Sequence, residues 1–288
     1  MVLESLVDAV KAEKKPGEMI IIGFVYAVIG TLLGIWVFKQ YSSMVSVFLV
    51  TMASIPLVYS TIKYEEEKDL QDVEEKFLLK EHGKALTVFI MLFIGISLGF
   101  FFMYMVMPSG MVGYAFKAQA ETISAINSRA ITDTGISGYL SSGLGVFVRI
   151  LANNFKVLMF CVLFSFLYGL GAIFIMTWNA SVIATAMGNF ARTELAKIAA
   201  NSAPSIAHYL QVVPLAILRY SIHGVVEILA YFTAGLAGGI ISVAVIRHDF
   251  YTRKFEHIIV DSSDLLILSI ILLIIAAFLE VYVTPLIV

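Results

Sequence analysis

The sequence predicts an all-α, polytopic membrane helix bundle with six or seven spans, one of them broken or re-entrant, accompanied by amphipathic surface helices. Hydrophobic residues make up 60% of the chain and charged residues 14%, whereas roughly a quarter of a soluble domain is charged. Stretches of the length one crossing needs, about 20 apolar residues, recur at residues 19–38, 44–62, 85–107, 155–177, 214–246 and 265–288. All are too long and too uniformly apolar to be strands of a membrane barrel, whose faces alternate at every second residue.

Residues 1–15 place Leu3, Leu6, Val7 and Val10 at helical spacing against charged neighbours, the pattern of a short helix lying on the membrane surface or of a frayed polar terminus. Pro16-Gly17 ends it. Lys11, Lys14 and Lys15 alternate with Glu4, Asp8 and Glu13, so no cleavable signal is expected and the first span acts as the insertion signal. Spans one and two form a hairpin because only residues 39–43 separate them, with Trp36 and Tyr41 suited to an interface belt. Residues 63–84 are the most highly charged segment, crossed by a narrow apolar stripe of Leu70, Val73 and Phe77. A surface helix ending near His82-Gly83 is predicted there.

Residues 107–154 form a long glycine- and serine-rich connection. Two amphipathic helices are expected to flank its central loop, residues 112–131 and 139–152. Residues 157–191 carry no charge, yet two full crossings would need about 40 residues. One span followed by a short seventh crossing over residues 180–191 is therefore expected, with Gly169, Gly171 and Asn179 marking the helix break and Asn179 bonding backbone freed there. Pro285 punctuates the last span in the same way. Three Gly-xxx-Gly pairs, Gly30/Gly34, Gly95/Gly99 and Gly235/Gly239, allow close helix approach, within the chain or in a homo-oligomer.

Lysine and arginine bias places the N-terminus, residues 63–84 and residues 247–254 on the cytoplasmic side of a cell membrane. Residues 107–154 and the C-terminus then lie outside. The chain divides into an N-terminal part, residues 1–84, and a membrane core, residues 85–288. A net charge of −2 gives no footprint for nucleic acid. Cys161 alone can form neither an intramolecular disulfide nor a cysteine-based zinc site. No cofactor and no metal are expected; the bilayer is the expected surrounding, with membrane or cell-envelope proteins as partners.

Arg219, His223 and Glu227 recur at every fourth residue of one apolar run and so share a helix face. If the last two spans are antiparallel, Glu280 reaches the same half of the bilayer. A charge placed there costs about 2.5–3.5 kcal/mol on insertion scales, so these residues are expected to face the bundle interior as a polar cluster.

His223-Gly-Val-Val-Glu227-Ile, the small-residue run from Ala234 to Gly239, Asn153-Asn154-Phe-Lys156, Trp178-Asn179 through Gly188, and Ala276-Ala-Phe-Leu-Glu280 through Thr284-Pro285 together resemble the signature of the stage II sporulation protein M family. The resemblance covers residues 85–288 and leaves the N-terminal hairpin as an addition. It implies an integral membrane protein; in endospore formers, the family member looks like a scaffold for partners that remodel peptidoglycan during engulfment. Three functions fit the residues. A non-enzymatic scaffold would use the cluster to fix helix register. A channel or transporter would use its carboxylates and His223 to bind an ion or relay protons. An intramembrane metalloenzyme is the weakest match, because no second histidine shares the face of His223.

Overall fold

The computed structural model describes residues 9–69, 75–133, 143–168, 171–200, 203, 205–246 and 253–287. They form α1 (Ala9–Lys14), α2 (Glu18–Phe38), α3 (Ser42–Asp69), α4 (Glu75–Val106), α5 (Ser109–Ala115), α6 (Lys117–Asp133), α7 (Gly143–Tyr168), α8 (Gly171–Ala199), α9 (Ile206–Ile246), α10 (Arg253–Phe278), a π-turn (Leu279–Val283) and α11 (Thr284–Ile287). No strand occurs among the described residues. Six helical stretches are long and apolar enough to cross a membrane. The first of them, Glu18–Tyr64, is itself a hairpin of α2 and α3 joined by a tight turn at Lys39–Tyr41, so seven long helices are available for crossing.

Side-chain contacts fix the direction of each helix. Gly30 of α2 lies against Val50 and Ser46 of α3, and Gly34 against Ser46 and Ser42, an antiparallel register. Gly95 meets the Ile20 backbone and Gly99 meets Phe24 and Ala27, so α4 runs parallel to α2. Gly188 of α8 abuts Tyr104 near the end of α4, while Ile173 and Met176 share a cavity wall with Phe89 and Phe93. α8 is therefore parallel to α4. Gly235 of α9 touches Ala172 and Ser165, and Gly238 packs on Val162 and Ser165. With Arg219 beside Phe190, these contacts set α9 antiparallel to α8. Gly143 at the start of α7 lies against Tyr282, two residues from the Thr284 that meets His223, and Ser165 near the end of α7 lies against Gly235, so α7 runs parallel to α9.

The result is seven alternating crossings. One face, called near here, holds the starts of α2, α4, α8 and α10 and the ends of α3, α7 and α9. The far face holds the α2–α3 turn, α5, α6 and α11. α4 and α9 are the most enclosed crossings and α7 the least, with Phe100 and Tyr231 among the largest fully buried side chains. Outer faces of α2, α7 and α10 expose Ile21, Trp36, Met159, Phe160, Ile267 and Ile271, as lipid-facing surfaces do. The Gly-xxx-Gly pairs of α2 and α4, together with Gly235, are consumed by packing within the chain.

Several expected elements are redrawn. Residues 155–177 are not one helix: α7 ends at Tyr168 and α8 starts at Gly171. The length for two full crossings comes from flanks whose polar residues hid it, Gly143–Lys156 before and Arg192–Ala199 after. α8 accordingly crosses as a 29-residue helix rather than as the short segment 180–191. The start of the expected helix 139–152 is the first part of α7, and residues 139–142 lie outside the described residues. The expected helix 112–131 is bent into α5 and α6 at Phe116, whose ring is buried against Phe100 and Tyr104. Residues 63–84 make no separate helix within the described residues: α3 continues to Asp69, and α4 starts at Glu75 and runs straight through Gly83. Leu70 and Val73 lie outside the described residues. Ala9 and Ala12 of α1 are buried, and α1 packs on α3 and α4; residues 1–8 are also outside the description.

Candidate functional site: a polar file between the last helices

The apolar run of α9 carries a stripe of polar side chains at four-residue spacing: Arg219, His223 and Glu227 are half-buried and Tyr231 is buried. Helix rise separates Arg219 from Glu227 by about 12 Å, and Glu227 from Gly235 by the same amount. Gly235 is level with the start of α8 and Arg219 with Phe190 near its end. Glu227 therefore sits midway through the bundle.

Tyr231 is completely buried and its hydroxyl donates to Glu227 Oε1 at 2.7 Å. Glu280, in the π-turn after α10, lies within electrostatic reach of both Glu227 and Tyr231. One turn toward the far face, His223 Nδ1 is 3.2 Å from Thr284 Oγ1. Thr284 in turn donates to the Leu279 carbonyl at 3.1 Å. α9 thus meets the end of the last crossing at two polar levels: two carboxylates with a tyrosine, then a histidine with a threonine.

Arg219 does not join the carboxylates. Its guanidinium lies over the Phe190 ring, 5.1 Å from the centroid, a cation–π contact at the far-face end of the file. Among the described residues no ion pair links it to Glu227 or Glu280, so Arg219 stands apart from the rest of the expected polar cluster and its cation is turned toward α8. The reason is reach: two helical turns separate Arg219 from Glu227, and Phe190 is closer.

The expected break residues divide. Gly169 lies outside the described residues. Gly171 is the first residue of α8. Asn179 marks no break, because its amide donates to the Ile175 carbonyl at 2.9 Å inside a continuous helix. Pro285 stands one residue past the π-turn, after Thr284: it has no N–H to continue an α-helix and its ring crowds the preceding turn, and the chain widens over Leu279–Val283 instead.

Tyr231, Thr284 and Arg192 were missed in the sequence. Tyr231 continues the four-residue spacing and was readable from it. Arg192 closes the far end of α4, donating to Ser109 Oγ at 3.3 Å, to the Met105 carbonyl at 3.4 Å and to the Met107 carbonyl. A cation at a helix C-terminus is favourable, but nothing in the sequence assigns it to that helix. A cavity of about 40 Å³ opens between α3, α4, α8 and α9, lined by Val58, Phe89, Phe93, Ile173, Phe232 and other mainly apolar side chains. It does not reach the carboxylates. No group of three or more potential metal ligands occurs among the described residues.

Residues 88–285 match the family described as Stage II sporulation protein M. The chain belongs to that family. The match runs from within α4 to α11, so it contains the whole polar file and leaves out α1, α2 and α3. An uncharacterised protein of Methanocaldococcus jannaschii is 30% identical over 166 residues, 57% of this chain and 84% of that relative. No solved structure matches. As a stage II sporulation protein M family member with six long apolar stretches, the chain is a multi-pass membrane protein.

Proposed function

We propose that this protein binds a proton or a small monovalent cation at the Glu227–Glu280 pair and moves it across the membrane. The carrying observation is that Glu227 and Glu280 lie within electrostatic reach of one another midway through the bundle while Arg219 stacks on Phe190. Two adjacent negative charges in a low-dielectric interior repel strongly. A proton or bound cation on the pair removes that repulsion, and intramembrane carboxylates commonly mark such pathways. Tyr231 and His223 supply hydrogen-bonding groups on either side along the same face.

The test is Glu227→Gln. Glutamine keeps the shape, still accepts from Tyr231 and can donate toward Glu280, so thermal stability in detergent is expected to change by less than about 1 kcal/mol. Flux in liposomes is expected to vanish, read by an internal pH dye for protons and by imposed sodium or potassium gradients for cations.

A scaffold that organises membrane or cell-envelope partners is the second reading, favoured by one observation: the apolar cavity stops short of the carboxylates. In that case, Glu227→Gln lowers stability and wild-type liposomes carry no flux. A well-folded glutamine variant with wild-type flux counts against the transport reading.

A further inference from the structure

We propose that His223 and Thr284 form a gate on the far-face side of the carboxylate pair, held shut by the π-turn that precedes Pro285. This rests on the pair being the working site.

The Thr284 N–H bonds the Leu279 carbonyl, five residues back, and the Thr284 hydroxyl donates to that same carbonyl at 3.1 Å. With its single proton committed there, the hydroxyl can only accept from His223. His223 Nδ1 is therefore the donor across the 3.2 Å contact, which fixes the tautomer of a neutral ring and holds equally for a protonated one. One carbonyl, one hydroxyl and one imidazole thus tie the wide turn to α9. The tie lies one turn above Glu227, between the carboxylates and the far face.

π-turns inside helices are uncommon and often mark functional sites. Here the turn stores a defined movement. Relaxation to α-helix would rotate α11 by about 100° relative to α10, carrying Thr284 away from His223 and opening the file toward the far face. Pro285 disfavours the α form, and the Thr284 bonds favour the π form, so the closed state needs both.

The experiment compares Thr284→Val, which removes the hydroxyl while keeping the shape, with Thr284→Ser, which retains it, and with Pro285→Ala, which restores an N–H. Spin labels at Ile206 and Leu286, both exposed, report the rotation of α11 by electron–electron distance. A water-soluble carbodiimide, followed by mass spectrometry, reports access to Glu227 and Glu280. Thr284→Val and Pro285→Ala are expected to shift the label distance by about 3 Å or more, as a 100° rotation of a helix surface requires, and to raise carboxyl modification several-fold. Thr284→Ser should match wild type on both readouts. Unchanged distance and labelling in Thr284→Val overturn the gate, as does a Thr284→Ser protein that behaves like Thr284→Val. Neither readout needs flux: a moving gate in a protein without transport would sink the proposed function alone, and transport with an immobile turn would sink the gate alone.

Discussion

Tyr231 is the first of the largest fully buried side chains among the described residues, and its hydroxyl has one purpose there, to donate to Glu227. Removing a buried donor leaves its partner unsatisfied, at a cost of about 1–3 kcal/mol. Tyr231→Phe should therefore lower stability by that amount in thermal unfolding. In a Glu227→Leu background, where the acceptor is gone, the same change should cost nothing or stabilise; an equal cost in both backgrounds would show that the bond is not what matters. At this scale the sequence was readable wherever periodicity spoke. The four-residue spacing placed His223 and Glu227 on one face and brought Glu280 to them across an antiparallel pair. Periodicity gives the face of a helix but not the rotamer, so it groups Arg219 with the polar cluster although its side chain lies over Phe190.

Among the helices, glycines separate contact from mere composition. A Cβ on Gly95 would strike the Ile20 backbone, which cannot move aside without pushing α2 off α4. Gly95→Ala is expected to destabilise by about 1–3 kcal/mol, the usual cost of overpacking. Gly83, in contrast, sits within α4 with nothing inside 4 Å of an added Cβ, so Gly83→Ala should stabilise by about 1 kcal/mol through helix propensity alone. Paired thermal unfolding of the two variants checks the contrast, and a tolerated Gly95→Ala would argue against the parallel α2–α4 contact. Gly83 also explains why residues 63–84 were misread: glycine near charge looks like a helix stop, but α4 takes its continuity from the crossing that follows. Hydropathy failed similarly at residues 155–177, because a run without charge does not reveal where a chain turns back. The start of α7 carries Arg149, Asn153, Asn154 and Lys156 and still belongs to the crossing.

Seven alternating helices put the start of α2, the end of α3, the start of α4 and the start of α10 on one face, and α5, α6 and α11 on the other. That partition follows from packing; the proposal for which face meets the cytoplasm rests on charge. Lys11, Lys14, Lys15, Lys63, Lys68, Lys76, Lys80 and Lys84 flank the first crossings on the near face, and lysine-rich short segments are retained inside. The far face is less basic, with Lys39 at the α2–α3 turn, Lys117 and Arg129 on α6, Arg149 near the start of α7, and Arg192 and Lys197 near the end of α8. Lys117 and Glu256 are exposed on opposite faces, and replacing Lys117 costs little, since its partner is the exposed Glu121 at 3.9 Å. Cys161 is fully buried and should stay silent toward a polar thiol reagent. An impermeant maleimide applied to intact cells should label Lys117→Cys and spare Glu256→Cys until the membrane is permeabilised. The reverse pattern would keep the fold and invert its orientation, so that the His223–Thr284 end of the polar file would face the cytoplasm. Equal labelling of both variants in intact cells would contradict the seven-crossing arrangement itself, because an odd number of crossings must separate α6 from the start of α10.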